Sequence, residues 1–182
     1  MARAIVKTLA TSVVLMSLSC LARANDADMA GSPGCGDPNA KFEVRTDSAQ
    51  HPAQPDPGKA QVYFIQDDSN FASFPKPTTR AGLDGKWVGA THGNSYLSFS
   101  IDPGVHHLCA SWQFAVILGK GHMTAALHFT AEPGGVYYFR VKNTFFRSDT
   151  SAITDIALNP LDSDEGQVLA NRFALSLSRQ KN

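Results

Sequence analysis

Six histidines, three cysteines, a mid-strand serine and one short acidic run are the residues of this 182-residue chain that could do chemistry. A zinc site needs three or four ligands converging on one point. His106 and His107 are neighbours in an alternating stretch, so on a strand they point to opposite faces. With Gly119-Lys120 as a hairpin turn, Trp112 faces Leu127 and Ala110 faces Phe129. In that register His107 and His128 share a face but stand several residues apart, too far for one ion. No His-Glu-x-x-His spacing occurs. The residues therefore predict no metal and no cofactor. The same register sets Ser111 opposite His128, the outline of a nucleophile and base. Ser111 nevertheless lies in mid-strand without a Gly-x-Ser-x-Gly turn, oxyanion donors or an assigned carboxylate, and no catalytic residue is predicted. Asp67-Asp68-Ser69-Asn70 offers oxygens but lacks calcium-loop spacing and a downstream bidentate Glu, and reads as a polar strand end.

The aromatic residues carry a different kind of chemistry. Phe71, Phe74, Trp87 and Tyr96 fall in or beside loops and hairpins, as do Phe145 and Phe146. Phe71-Ala-Ser-Phe-Pro-Lys-Pro77 sets two phenylalanines in a Pro-stiffened loop. The ordinary fate of such rings is to pack beneath their own loop. Exposed together, Phe71, Phe74, Trp87 and Tyr96 form a candidate patch for a glycan, peptide or protein partner.

The elements that must position these residues begin after an export signal. Arg3 and Lys7 precede an apolar stretch from Thr8 to Leu21, too short to span a bilayer, and Ala22-Arg23-Ala24 offers a small-x-small cleavage pattern. Residues 1–24 are expected to be removed before Asn25, giving a periplasmic or secreted protein. The alternative is a lipoprotein anchored at Cys20, although Ser17 and Leu18 match that pattern poorly. Loss of Arg3, Lys7 and Arg23 leaves 13 basic residues against 16 acidic, a net charge of about −3, and no Lys/Arg cluster compensates. Nucleic acid is thereby an unfavourable partner. No apolar stretch of the mature chain is long enough for a transmembrane helix. In an oxidising compartment the two remaining cysteines, Cys35 and Cys109, are expected to form a disulfide. Redox or metal chemistry is the alternative, and no Cys-x-x-Cys pair supports it.

Residues 25–57 read as an extended lead-in tied down only by Cys35, a short first strand over Lys41–Thr46 and a Pro-rich surface linker. From residue 58 to 182 the pattern is that of an antiparallel β-sandwich, immunoglobulin- or transthyretin-like, with one short C-terminal helix at about 162–173. Hairpin turns are expected at Asp84-Gly85, Gly93-Asn94, Asp102-Pro103-Gly104, Gly119-Lys120 and Pro133-Gly134-Gly135. Asp162 is the expected helix cap, with Glu165 reaching back to it; Val168, Leu169 and Phe173 are expected to pack on the sandwich edge.

Gly58-Lys-Ala-Gln-Val-Tyr-Phe64, the block from Asp84 to Trp112, and Glu132-Pro-Gly-Gly-Val-Tyr-Tyr-Phe-Arg-Val141 carry a resemblance. Residues 58–170 resemble the uncharacterised bacterial family catalogued as domain of unknown function 2846. The shared features are a Val-Tyr strand, a Pro-Gly-x-His turn matched by Pro103-Gly-Val-His106, and a Gly-x-Tyr-Tyr strand. The Pro-Gly-x-His turn is also similar to surface-layer sandwich repeats of the PEGA type. The resemblance implies a small exported β-sandwich, often in lipoproteins, and supplies no reaction or catalytic residues. The expectation is thus a non-catalytic binding or cell-envelope interaction module, with an envelope protein or a glycan as partner. The competing readings are a secreted hydrolase or metal-dependent enzyme using strand His and Ser residues, and a lipid-anchored structural accessory protein.

Overall fold

A computed structural model describes residues 35–49, 51, 55–113 and 123–181. The expected signal segment, Cys20 and the Gly119-Lys120 turn lie outside them. Ten strands and one helix are described: β1 (Lys41–Asp47), β2 (Ala60–Asp67), β3 (Thr78–Leu83), β4 (Lys86–His92), β5 (Ser95–Ile101), β6 (Gly104–Trp112), β7 (Thr124–Ala131), β8 (Val136–Arg147), β9 (Ala152–Leu161), α1 (Ser163–Arg172) and β10 (Ala174–Lys181). They build a six-stranded sheet in the order β1-β10-β5-β2-β8-β9 and a four-stranded sheet in the order β4-β3-β6-β7.

The two sheets face one another because their strands alternate. Val62 and Phe64 of β2, Phe139 and Val141 of β8, and Ile156 and Leu158 of β9 form one wall of a single buried cluster. Ala81 of β3, Leu108, Ala110 and Trp112 of β6 and Ala131 of β7 form the other. This is the expected mainly β sandwich. Antiparallel pairing holds throughout the four-stranded sheet, whereas the six-stranded sheet is mixed: β2 runs parallel to β8, and β10 parallel to β5. β1, read above as part of the lead-in, is a full member of the larger sheet through its antiparallel register with β10.

Turn chemistry located the chain reversals but not the sheet that each next strand joins. Asp84-Gly85 is a two-residue hairpin turn, both residues at positive φ, between paired β3 and β4. Gly93-Asn94, Pro103-Gly104 and Pro133–Gly135 instead carry the chain from one sheet to the other, so these are corrected from hairpins to crossings. Positive φ at Gly93, Gly104 and Gly134 permits either route.

The β6–β7 register also differs from expectation. Leu108 faces Leu127, Ala110 faces Ala125, Ser111 faces Thr124 and His107 faces His128. The expected pairing was displaced by four residues. An even displacement keeps every side chain on its own face, so the core strip is unchanged while every cross-strand partner is new.

On the outer face of the six-stranded sheet, Asp162 caps α1 by accepting a bond from the Glu165 backbone N–H. The Glu165 side chain does not reach back; it bonds Arg140 of β8 at 2.6 Å and ties the helix to the sheet. Leu169, Ala170 and Phe173 pack against Ile65, Tyr96, Tyr138 and Leu175. Val168, expected in that contact, is exposed. Gly166 lies against Tyr138 so closely that a Cβ there would stand 2.2 Å from Cγ of that ring.

Candidate functional site

The three outward tyrosines beneath α1 form the most distinctive surface feature. Tyr63 and Tyr138 are register partners on parallel β2 and β8, and their rings stack with centroids 4.8 Å apart. Tyr96, on β5 beside β2, lies 5.9 Å from Tyr63. The row lines a 220 Å3 cleft together with Gln167, Asn171 and Phe173 from α1 and its C-terminal cap and with Ser48 and His51. Burial, reinforced by Tyr63, raises the pKa of both Tyr96 and Tyr138, which therefore keep neutral hydroxyls at physiological pH. Among the described residues, none that lines the cleft is Asp, Glu, Lys or Arg. Flat aromatic surface, hydroxyls and amides suit a neutral, polyhydroxylated ligand better than an ion.

The expected patch of Phe71, Phe74, Trp87 and Tyr96 is not brought together. Phe71 is in the main core, edge-on to Trp112 at 5.6 Å and beside Phe145 at 5.5 Å. Phe74 is 88 % exposed at the tip of the same loop. Trp87 lies over the Arg80 guanidinium at 4.4 Å, on the outer face of the other sheet, and only Tyr96 reaches the cleft. Tyr63 and Tyr138 were missed. Their signal was an aromatic residue at outward positions of otherwise apolar strands, but their meeting depends on the parallel β2–β8 pairing of distant segments.

The predicted disulfide is present: Cys35 and Cys109 are bonded, with Cα atoms 5.8 Å apart. The lead-in is held by more than this bond, contrary to expectation. Arg80 is 2 % exposed; its Nη1 donates to the carbonyls of Pro38 and Ala40, and its Nη2 to Ser111 Oγ and the Trp112 carbonyl. Trp87 Nε1 donates to the Asp37 carbonyl. Ser111 thus serves a buried cation: its Oγ accepts from Arg80 and from Thr124 Oγ1, and His128 is not its cross-strand partner. Ser111 faces Thr124 and His128 faces His107, so the Ser111–His128 pairing is corrected.

His106, from the Pro-Gly-x-His turn, has a structural use. Its Nδ1 meets Asp84 Oδ2 at 2.8 Å and its Nε2 meets the Asp102 carbonyl at 2.7 Å. Both partners are acceptors, so the ring is best satisfied as the imidazolium. Burial opposes the charge, but the bonds to Asp84 and Asp102 outweigh it and raise the pKa of His106 above its ordinary 6.5. For Asp84, burial is outweighed by the His107 N–H and by His106, and the pKa is lowered. The raised histidine contributes stability fully below pH 6.5 and loses it as pH rises through the folded value. The carboxylate's share is present above pH 3.8 and lost as pH falls. Because Asp84 is half-exposed, the effect is on the order of 1 kcal/mol or less. Thermal melts across pH 6 to 9 are expected to show a decline that His106→Gln abolishes; an identical decline in the variant would remove this assignment.

Among the described residues no group of three or more His, Cys, Asp or Glu could hold a metal ion, and no helix is long and apolar enough to cross a membrane. Asp67-Asp68-Ser69-Asn70 ends β2 as expected, but Asp68 is buried there. No family model, curated protein or solved structure matches the chain.

Proposed function

We propose that this protein is a non-catalytic, exported binding module whose site is the Tyr63–Tyr96–Tyr138 cleft, and that its ligand is a saccharide. The carrying observation is the tyrosine row itself, three rings on one sheet face under a wall of amide and hydroxyl side chains. The C–H faces of a pyranose stack on such rings while its hydroxyls exchange hydrogen bonds with Gln167, Asn171, Ser48 and the phenols. Export is supported by the apolar leader and by the Cys35–Cys109 disulfide, which belongs in an oxidising compartment. Cleavage before Asn25 gives a free domain; acylation at Cys20 would give the same site on a tether. The resemblance to domain of unknown function 2846 points the same way, since it implies an exported sandwich without an assigned reaction.

Titration with a panel of neutral oligosaccharides, followed by NMR of tyrosine ring resonances, tests the reading. Binding is expected to perturb the three tyrosines together, and Tyr63→Ala is expected to weaken it about tenfold or more, the value of roughly 1.4 kcal/mol of lost stacking. Tyr63 is half-buried, so a melting curve of the variant accompanies the titration. Saccharide binding that leaves these rings unperturbed, or that survives Tyr63→Ala at full strength, would overturn the assignment.

A further inference from the structure

We infer that His107 and His128 form a two-histidine binding site for a divalent transition metal, with Cu2+ preferred, on the outer face of the four-stranded sheet. The two residues are direct partners in the antiparallel β6–β7 ladder. The kind of pair matters. The His107 N–H donates to Asp84 Oδ1 and its carbonyl accepts from the Asp84 N–H, so both backbone groups point toward the β3–β4 turn and away from β7. Against β7, therefore, His107 and His128 are a non-hydrogen-bonded pair, the type in which Cα atoms approach to about 4.5 Å and side chains stand closest. Two imidazoles so placed can each turn one nitrogen onto an ion at about 2.0–2.1 Å.

The surroundings favour this use. His128 is exposed on an edge strand, in the outward set Thr124, Ala126, His128 and Thr130, so its ring is free to adjust. Nδ1 of His107 is enclosed and has no hydrogen-bond partner among the described residues, so no bond is lost when that ring is recruited. The neighbouring thiol, Cys109, is committed to the disulfide, and both Asp84 oxygens are engaged by the His106 ring and the His107 backbone. The donor set is thus two imidazole nitrogens, with water completing the coordination. Imidazole nitrogen suits copper, nickel and zinc rather than magnesium or calcium, and for a given nitrogen site Cu2+ binds most tightly of the first-row divalent ions. Chelation by the second ring is intramolecular, at an effective concentration on the order of millimolar or more, which separates this pair from any single surface histidine.

The test uses the exported chain with its disulfide intact and Cu2+ alone as the probe. Calorimetric titration is expected to show one Cu2+ per chain, with Zn2+ weaker, and electron paramagnetic resonance is expected to show two imidazole nitrogens on the ion. His128→Ala, at an exposed position that leaves the fold untouched, is expected to weaken Cu2+ binding at least about tenfold and to leave a single-nitrogen spectrum. His107→Gln is expected to do the same, and His92→Gln, on a different strand, to change nothing. A two-nitrogen spectrum or an undiminished affinity in His128→Ala would overturn the proposal, as would failure of the unaltered protein to bind a stoichiometric Cu2+.

Discussion

Reduction of the Cys35–Cys109 bond is expected to lower the stability of the domain by about 4 kcal/mol. The cysteines are 74 residues apart in sequence, and cross-linking a loop of that length removes roughly that much chain entropy from the unfolded state. The folded state is built around the bond as well. Gly82 faces Cys109 in the β3–β6 register, and a Cβ there would stand 2.5 Å from the Cys35 carbonyl oxygen and 2.8 Å from the Cys109 sulfur. The bridge therefore holds the lead-in flat on the sheet, within reach of the Arg80 and Trp87 bonds to Asp37, Pro38 and Ala40. For a unit of 150 residues, Pro33–Asn182, a loss of about 4 kcal/mol corresponds to a fall in Tm of about 8–16 °C. Differential scanning calorimetry with and without reductant measures it. The double variant Cys35→Ser, Cys109→Ala should reproduce the fall and then show no further response to reductant. A shift under about 2 °C would mean that Arg80 and Trp87 hold the lead-in unaided.

Features encoded by neighbouring residues were legible in the sequence. The alternation of Lys41–Thr46, the aromatic and β-branched run Gln61–Gln66, the Asp84-Gly85 turn and the Asp162 cap each depend on a few adjacent residues, and each appears where expected, the two strands within one residue at each end. β9 and β10 were passed over, although Ile156 and Leu158, and then Leu175 and Leu177, alternate with small or polar neighbours. Pairing was less legible because it is decided at a distance. The expected β6–β7 register was counted from a turn at Gly119-Lys120, outside the described residues, and the observed ladder differs from it by four residues; the faces survived the change and the partners did not. That single difference removes His128 from Ser111 and gives it to His107. The tyrosine cleft was illegible for the same reason, since Tyr63 and Tyr138 become neighbours only through the parallel β2–β8 register.

Asp68→Asn, a change of one atom in size and shape, is expected to destabilise the domain by about 1–2 kcal/mol, because the hydrogen bonds around Asp68 run in one direction only and the cost of an unsatisfied donor outweighs the desolvation relieved by losing the charge. The Trp112 indole can only donate, and it donates to Asn143 Oδ1 at 2.6 Å. Asn143 must then present its Nδ2 to Asp68 Oδ1, at 2.7 Å. On the other side the Pro77 carbonyl can only accept, so Gln66 turns its Nε2 to it and, with the same nitrogen, to Asp68 Oδ2 at 2.8 Å, while Gln66 Oε1 accepts from Thr91. Two donors fixed by partners that cannot reverse their roles converge on one carboxylate, and an amide there must aim its own NH2 at one of them. The cost is that of a buried, unsatisfied donor in a low-dielectric network spanning both sheets. Titration distinguishes this from simple loss of packing. Burial raises the Asp68 pKa above 3.8 even though Asn143 and Gln66 lower it, so the native state takes up a proton before the unfolded state does. Asp68 therefore adds stability as pH falls from its folded value toward 3.8, and that increment is expected to vanish in Asp68→Asn. Chemical denaturation of both proteins between pH 4 and pH 7 measures the loss and its pH dependence together. An Asn variant as stable as the parent at pH 7 would show that the donors can turn, and that Trp112 and Pro77 do not fix the direction of the network.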